Sequence, residues 1–542
     1  MGFYLNSQSP AAAYKKIFET PYFVDKSALL AELFAVIGTD DGNICLTRPR
    51  RFGKTVVANM IAAFFGKGCD SSAIFDHLAI SKNPDYHRYL NQSNLIYINF
   101  SKMPENCKSY EQYISRVTSR MKRELLKAYP DITCGEDDAL WDIFADVFEE
   151  YQEQFVFVID EWDCIFHKDF ITDEDRRAFI DFLANLLKDQ SYILFTYMTG
   201  VLPIAKYSSG STINNFKEYD MATKKRYGEY FGFTESETEE LYQKYLAKES
   251  APEVTMDDLK TWYDGYQTAS GERLYNPRSV VYALSNNQVA DYWTSSGPYA
   301  EISDYIIDNV DGVKEAIIRL VRGETVSAAL KASAATERKW ETRDEVLSAM
   351  VVYGFLTYDE MEETVCIPNK ELRDEFASTV SKEPSLHYLD ALARESDRIL
   401  KATLEQDART VEDIMGFVHN TEASILNYNN ENELAAIVNL AYLGARDYYD
   451  VERETKSGKG YADILFMPRD SSRDGLIVEL KVDHSAEEAI QQIKDNAYAL
   501  KFKDISGRKK CRRIIAVGIN YVSDSKNLKD KKSHHCIIEV LE

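Results

Sequence analysis

Two sets of residues in this chain have the types and spacing to do chemistry. The first is Thr47-Arg48-Pro49-Arg50-Arg51-Phe52-Gly53-Lys54-Thr55, joined far downstream by Asp160-Glu161. A tight loop that opens a helix forms an anion site, because orphan backbone N–H groups and the helix dipole face the ligand. With Gly53 making the turn, Lys54 is placed to reach the β- and γ-phosphates of ATP, and the Thr55 hydroxyl to ligate Mg²⁺. The full phosphate-loop pattern asks for glycine five residues before Gly53, and Arg48 stands there instead. Asp160 would hold the Mg²⁺, and Glu161 would orient and deprotonate the water that attacks the γ-phosphate. Arg50 and Arg51 are candidates for the cation that stabilises the transition state. A neighbouring subunit's arginine would serve as well, and both residues could equally steer DNA or cap local acids.

The second set is Asp463, Glu479 and Lys481. Glu479 and Lys481 are two residues apart in an apolar run, so on a strand they project from one face. Two carboxylates and an ammonium gathered among apolar neighbours are costly without a purpose. Phosphodiester hydrolysis supplies one. Asp463 and Glu479 could bind one or two Mg²⁺, with Mn²⁺ as an alternative, while Lys481 stabilises charge or positions water.

The elements that must carry these residues follow from hydrophobic patterning. Apolar runs at Ile44–Thr47, Leu95–Phe100, Phe155–Ile159 and Tyr192–Met198 alternate with amphipathic stretches at Lys54–Phe65, Tyr110–Tyr129 and Asp173–Lys188. Continuous apolar strands separated by helices indicate a parallel sheet covered on both faces. Such a sheet delivers Asp160 and Glu161 to its carboxyl edge, where ligands bind. The expected class is therefore α/β, with a P-loop ATPase domain over residues 1–233 and a mostly helical middle region over 234–400. The last domain, 401–542, reads as helix (431–444), strands (447–455, 461–467, 475–482), helix (485–502) and strands (513–521, 535–541), an αβββαβ order. The turn 469–474 makes the second and third strands a hairpin and brings Asp463 beside Glu479.

TRPRRFGKT, the VIDEWD strand end, MTGVLPIAK (198–206), GFTE (232–235), WYDGY, YNPRSV (275–280) and IPNKEL (367–372) together resemble the bacterial AAA-ATPase-like proteins that carry a fused PD-(D/E)XK nuclease-like domain. The resemblance spans nearly the whole chain, and RPRRFGK is its most specific part. It implies that Arg48 is a normal member of the loop, and that Tyr22–Ser27 lies near the adenine. Thr199 occupies the place of a polar γ-phosphate sensor. In the last domain the resemblance implies a restriction-endonuclease-like fold, with Ala462 replacing the usual proline. It adds Glu433 as a third metal carboxylate, Gln492 as a polar contact to the site, and Tyr498 as a weaker one.

Charge bounds the partners. The chain carries 64 Lys+Arg against 88 Asp+Glu, a net −24, which excludes a protein that coats nucleic acid with its whole surface. Residues 501–532 nevertheless hold 11 basic residues against 3 aspartates, a local +8 beside the Asp463 set, where DNA could approach. The eight cysteines show no zinc spacing and read as reduced thiols. With no signal core and no apolar run near membrane-spanning length, a soluble, cytoplasmic protein is expected, without membrane contact. Oligomerisation is open. The leading expectation is ATP hydrolysis coupled to a Mg²⁺-dependent DNA nuclease. The alternatives are a nucleotide-dependent switch whose last domain binds nucleic acid or protein without cutting, and a loader in which the ATPase works alone.

Overall fold

The computed structural model describes residues 2–104, 107–204, 215–293, 302, 305–306, 310–321, 323–331, 335–336, 339–381, 387–422, 434–435, 438, 441–442, 445, 448–457, 460–503, 510–522 and 533–541. The chain divides into two compact units. One comprises Met1–Lys314 and Thr325–Glu371, the other Glu315–Glu324 and Leu372–Glu542. The 234–400 region expected from sequence is thus shared between them. Most of it joins the N-terminal unit, because its helices complete the walls around the phosphate loop.

In the N-terminal unit, helix α1 (Ser9–Phe18) precedes strand β1 (Asn43–Thr47) and helix α2 (Lys54–Phe65). Strand β2 (Asn94–Asn99), helices α3 (Tyr110–Ala128) and α4 (Leu140–Tyr151), strand β3 (Phe155–Asp160), helix α5 (Asp173–Leu187) and strands β4 (Ile193–Gly200) and β5 (Lys217–Tyr219) follow. The sheet order is β2-β3-β4-β1-β5, with every pair parallel. Strands β1 to β4 match their apolar runs to within a residue or two, while β5, the polar edge strand Lys217-Glu218-Tyr219, had no such run to announce it. β3 is buried along its whole length, as a central strand covered on both faces must be. The register aligns Asn99 with Asp160, Asp160 with Thr199, and Thr47 with Gly200, so one row of residues marks the carboxyl edge. Helix α2 packs on β3 and β4 through Val57, Ala58, Ile61 and Phe65. Each large apolar side chain buried there stabilises the unit by about 1.5–3 kcal/mol.

The remaining part of this unit is mostly helical: α6 (Glu235–Lys248), α7 (Met256–Tyr263), α8 (Pro277–Asn286) and α9 (Arg343–Tyr353). Short strands β6 (Tyr266–Gln267), β7 (Arg273–Leu274), β8 (Val326–Ser327), β9 (Thr357–Asp359) and β10 (Thr364–Cys366) interrupt them. The acidic stretch at 234–237 caps α6, since the Thr234 hydroxyl accepts the Glu237 N–H and the Glu237 side chain accepts the Thr234 N–H. Helix α10 (Lys370–Ser381) spans the unit boundary.

The C-terminal unit continues with α11 (His387–Leu404), α12 (Ala408–Glu422), strands β11 (Tyr449–Ser457), β12 (Gly460–Pro468) and β13 (Gly475–Val482), helix α13 (Ala486–Asp495) and strands β14 (Ile514–Val522) and β15 (Ser533–Val540). Its sheet runs β11-β12-β13-β14-β15. Only β13 and β14 are parallel, joined by the α13 crossover. The expected helix 485–502 is broken. Ala497 takes a left-handed φ of 54°, and the chain re-forms as a 3₁₀ turn at Tyr498–Phe502. No helix among the described residues is long and apolar enough to cross a membrane.

Candidate functional site

The phosphate loop leaves β1 and turns twice into left-handed backbone, at Arg51 (φ 72°) and Gly53 (φ 86°), before α2 begins at Lys54. Glycine makes the second turn without a Cβ penalty. Lys54 is 5% exposed, and its ammonium donates to the carbonyls of Arg48 (3.1 Å) and Pro49 (3.0 Å). Burial lowers its proton affinity, while Glu161 most strongly supports its charge.

Arg48 does not face a ligand. Its guanidinium donates to the carbonyls of Thr47 (2.7 Å), Tyr219 (2.7 Å) and Tyr227 (3.0 Å) and lies over the Phe231 ring at 4.7 Å. Burial lowers its pKa to about 10, leaving it charged at neutral pH. The residue that departs from the phosphate-loop pattern therefore staples the loop to β5. The other end of the loop is held by the helical part. Phe52 meets Tyr266 edge-on at 4.7 Å, Pro49 fills the space over Gly354 that a Cβ would occupy, and the Trp293 indole donates to the Arg50 carbonyl (3.4 Å). Sequence patterning singled out none of Trp293, Tyr266 and Gly354 for this, because the contacts join residues more than 200 positions apart.

Asp160 ends β3 completely buried. Its Oδ2 accepts the Asn99 amide at 2.7 Å, and its Oδ1 has no hydrogen-bond partner among the described residues. Burial, then the neighbouring Glu161 charge, raise its pKa to about 7, against the pull of the Thr55 hydroxyl and Lys54. Glu161 follows in left-handed backbone (φ 53°), a strained geometry for a non-glycine residue that turns it away from the strand axis. Thr199, expected as a γ-phosphate sensor, is wholly buried and donates to the Leu46 carbonyl (2.7 Å), so its hydroxyl ties β4 to β1. Asp163 accepts the N–H groups of Val201 (2.8 Å) and Leu202 (2.7 Å) and closes the turn after β4.

A cavity of about 470 Å³ opens over this edge. Arg51, Gly53, Lys54, Thr55 and Glu161 line it, together with Tyr14, Tyr22, Phe23, Val24 and Met60. Lys26 lines it as well and is tied to Glu237 (2.7 Å) and the Glu229 carbonyl (2.8 Å). Arg50 is not among the lining residues. Arg278, on the first turn of α8, is. Its guanidinium lies over Tyr282 at 4.8 Å, and its charge is the largest cause, after burial, of the lowered pKa of Arg51. Arg51 and Arg278 thus both line the cavity. Sequence reading missed Arg278, although it lies inside the quoted YNPRSV run.

The second set assembles in the C-terminal sheet. The β12–β13 ladder pairs Ile464 with Val478 and goes no further toward Asp463 and Glu479. There Asp463 Oδ2 takes the Leu480 N–H at 2.8 Å, so the two acidic residues sit where the strands part. Glu479 is 1% exposed; its Oε1 accepts from Lys481 (3.4 Å) and from the Gln492 amide, while its Oε2 has no hydrogen-bond partner among the described residues. Burial and then Asp463 raise its pKa to about 7, with Lys481 opposing. Gln492 reaches in from α13. The break at Ala497 turns Tyr498 back to accept from Gln492 (3.5 Å) and Asn496 (3.0 Å), in the space left by Gly460. Oxygen-only donors with one unpartnered carboxylate oxygen suit a hard divalent cation. Glu433 lies outside the described residues, and no group of three or more His, Cys, Asp or Glu forms a metal cluster among those described.

The basic stretch is less available than its count suggests. Arg512 and Arg513 both clasp the buried Asp474 (2.9 and 2.6 Å), and Lys501 pairs with Glu452 (3.2 Å). Residues 504–509 and 523–532 lie outside the described residues.

Comparison with known proteins agrees with this division. Residues 12–209 match the family described as predicted AAA-ATPase, and residues 429–531 match the PD-(D/E)XK nuclease superfamily. An uncharacterized protein in the vnfD 5′ region of Azotobacter chroococcum mcd 1 is 23% identical over 534 residues, covering 94% of each chain. Among solved structures, a Walker-type ATPase of Pyrococcus abyssi aligns at 11% identity over 65% of this chain and 94% of its own, with a TM-score of 0.34. The ORC2 protein of Aeropyrum pernix in its ADPNP–ADP complexes aligns at 11% identity over 68% and 93%, with a TM-score of 0.32. One chain thus joins a region that matches the predicted AAA-ATPase family to a C-terminal region that matches the PD-(D/E)XK nuclease superfamily.

Proposed function

We propose that this protein binds and hydrolyses ATP at the β1–α2 loop, and that its C-terminal domain is a Mg²⁺-dependent DNA phosphodiesterase. One observation carries the ATP half: a single cavity is lined both by Lys54, Thr55 and Glu161 and by the aromatic and aliphatic side chains of Tyr14, Tyr22 and Val24. A nucleotide combines the same two characters, with a flat base at one end and a charged tail at the other. Lys54 would exchange its two loop carbonyls for phosphate oxygens. Arg51 and Arg278, which repel each other across the cavity, would both be relieved by an anion, and Arg278 is the arginine we assign in cis to the triphosphate. Glu161 would take the proton of the attacking water. Asp160 and Thr55 suit a Mg²⁺ ion, which supplies charge neutralisation between the β- and γ-phosphates when bound.

For the nuclease half, Asp463 and the open oxygen of Glu479 would hold Mg²⁺ or Mn²⁺, and Lys481 would meet charge developing on the phosphate. Gln492 holds Glu479 in place, leaving Oε2 turned to the metal position. DNA is the substrate we favour, reached from the partly neutralised basic stretch, in a soluble cytoplasmic protein. The test is direct. Purified protein with Mg²⁺ should release phosphate from ATP, and Lys54→Ala should stop it; cleavage of plasmid or single-stranded DNA should vanish in Asp463→Ala. DNA binding without cleavage, insensitive to Asp463→Ala, would convert the C-terminal half into a binding module.

A further inference from the structure

Glu371 lies outside the machinery described so far, yet it touches both sides of it. Its carboxyl group is wholly buried on the first turn of α10. Oε1 accepts the Ser279 hydroxyl (3.0 Å) and the Tyr292 backbone N–H (2.7 Å), and Oε2 accepts the same hydroxyl (2.9 Å). The Trp293 N–H is directed at it as well. These donors are a hydroxyl and two amides, all neutral. A buried carboxyl held only by such groups is expensive in free energy, and burial pushes its pKa up to about 8.

The two donor segments are the informative part. Ser279 follows Arg278 in the first turn of α8, where the Asn276 side chain caps both of their N–H groups (3.1 and 3.2 Å). Trp293 follows Tyr292, and its indole donates to the Arg50 carbonyl of the phosphate loop. Its ring is steadied edge-on against Phe355 at 4.8 Å. One carboxyl group therefore ties the helix that carries Arg278 to the segment that holds the phosphate loop.

We propose that Glu371 is a positioning residue of the nucleotide site, fixing the separation between Arg278 and the phosphate loop. The inference rests on reading the cavity as an ATP site. It predicts that Glu371 acts through Arg278, so the two should not contribute independently.

The experiment measures ATP hydrolysis and equilibrium binding of ATPγS by full-length wild type, Glu371→Ala, Glu371→Gln, Arg278→Ala and the Glu371→Ala/Arg278→Ala double variant. Glu371→Ala should raise KM about 10-fold while kcat stays within about 3-fold, the signature of lost ground-state binding. Glu371→Gln should restore binding, because its amide oxygen accepts the N–H groups and its NH₂ can donate to Ser279. The double variant should bind no worse than Arg278→Ala, a non-additive cycle. Unchanged KM in Glu371→Ala, or effects that multiply, would overturn the proposal. If Glu371→Ala does not fold, Ser279→Ala reads the same link: a KM raised about 3-fold alone and unchanged in the Arg278→Ala background supports it, and an unaltered KM overturns it. Wild-type protein that neither binds nor hydrolyses ATP would sink the nucleotide reading together with this inference. A wild type that does both, beside an indifferent Glu371→Ala, would sink this inference alone.

Discussion

The two candidate sites solve one problem with different architecture. Each buries a carboxyl group almost completely, Asp160 at the end of β3 and Glu479 within β13, and each is raised to about 7 by burial first and a neighbouring acid second. Each also keeps one oxygen without a hydrogen-bond partner among the described residues. A cation would satisfy both. They differ in what surrounds them. Asp160 lies beside a cavity whose walls come from the loop, α1, the Tyr22–Lys26 segment and α8. Glu479 is held on one oxygen by Lys481 and Gln492 from adjoining elements of a single sheet and helix.

Disabling each site separately shows whether the two act independently. Lys54→Ala should cost about 10²–10³ or more in ATP turnover, as loss of preorganised charge does, without destroying the metal-dependent chemistry of the C-terminal domain. Lys481→Ala should do the reverse. If either change silenced both activities in folded protein, the two sites would not be separate. A second test exploits Glu371, whose folded pKa of about 8 lies above its ordinary 4.5. The sign is that of a raised group: stability is fully present below about pH 4.5 and is lost as pH rises through 8. The loss approaches about 1.4 kcal/mol per pH unit within that window. Melting temperatures of Glu371→Gln and wild type should coincide near pH 5 and diverge, with the variant more stable, by pH 8.

Smaller effects probe the C-terminal side. Gln492→Ala should weaken Mn²⁺ binding by about 10–100-fold without unfolding the protein, as loss of a residue orienting a metal ligand does; isothermal calorimetry would read it. Asp474 is the control, a buried carboxylate that is paired and has no catalytic part. Burial alone would raise its pKa, but hydrogen bonds from Arg512 and Arg513 hold it at about 2. That stabilisation is present above about pH 4 and lost as pH falls toward 2. Asp474→Asn should therefore cost on the order of 1–2 kcal/mol at pH 7, discounted because Arg512 is largely exposed, and leave metal binding intact.

Much of both sites was legible because the informative residues are close in sequence. The loop from Thr47 to Thr55, the β3 acids and the Glu479/Lys481 pair each occupy one element whose periodicity fixes their facing. Asp463 became legible through the order of elements, and Gln492 only through the family resemblance. Arg278, Trp293 and Glu371 did not, because each acquires its place only by tertiary contact. Arg48 shows the opposite limit: its position in the motif was plain, but its inward orientation depends on carbonyls of Tyr219 and Tyr227 that only the fold supplies. The break at Ala497 escaped because alanine there favours helix, and the packing of Tyr498 beside Gly460 overrides that preference.

Both half-satisfied carboxyl groups would then be divalent-cation sites, one needing nucleotide and one not. Crystals soaked in Mn²⁺, with and without ATPγS, test it in one measurement of anomalous density. A peak is expected at Asp463/Glu479 in both soaks, and a peak at Asp160/Thr55 that strengthens when nucleotide is present. Density at Asp160 with none beside Glu479 in either soak would contradict it.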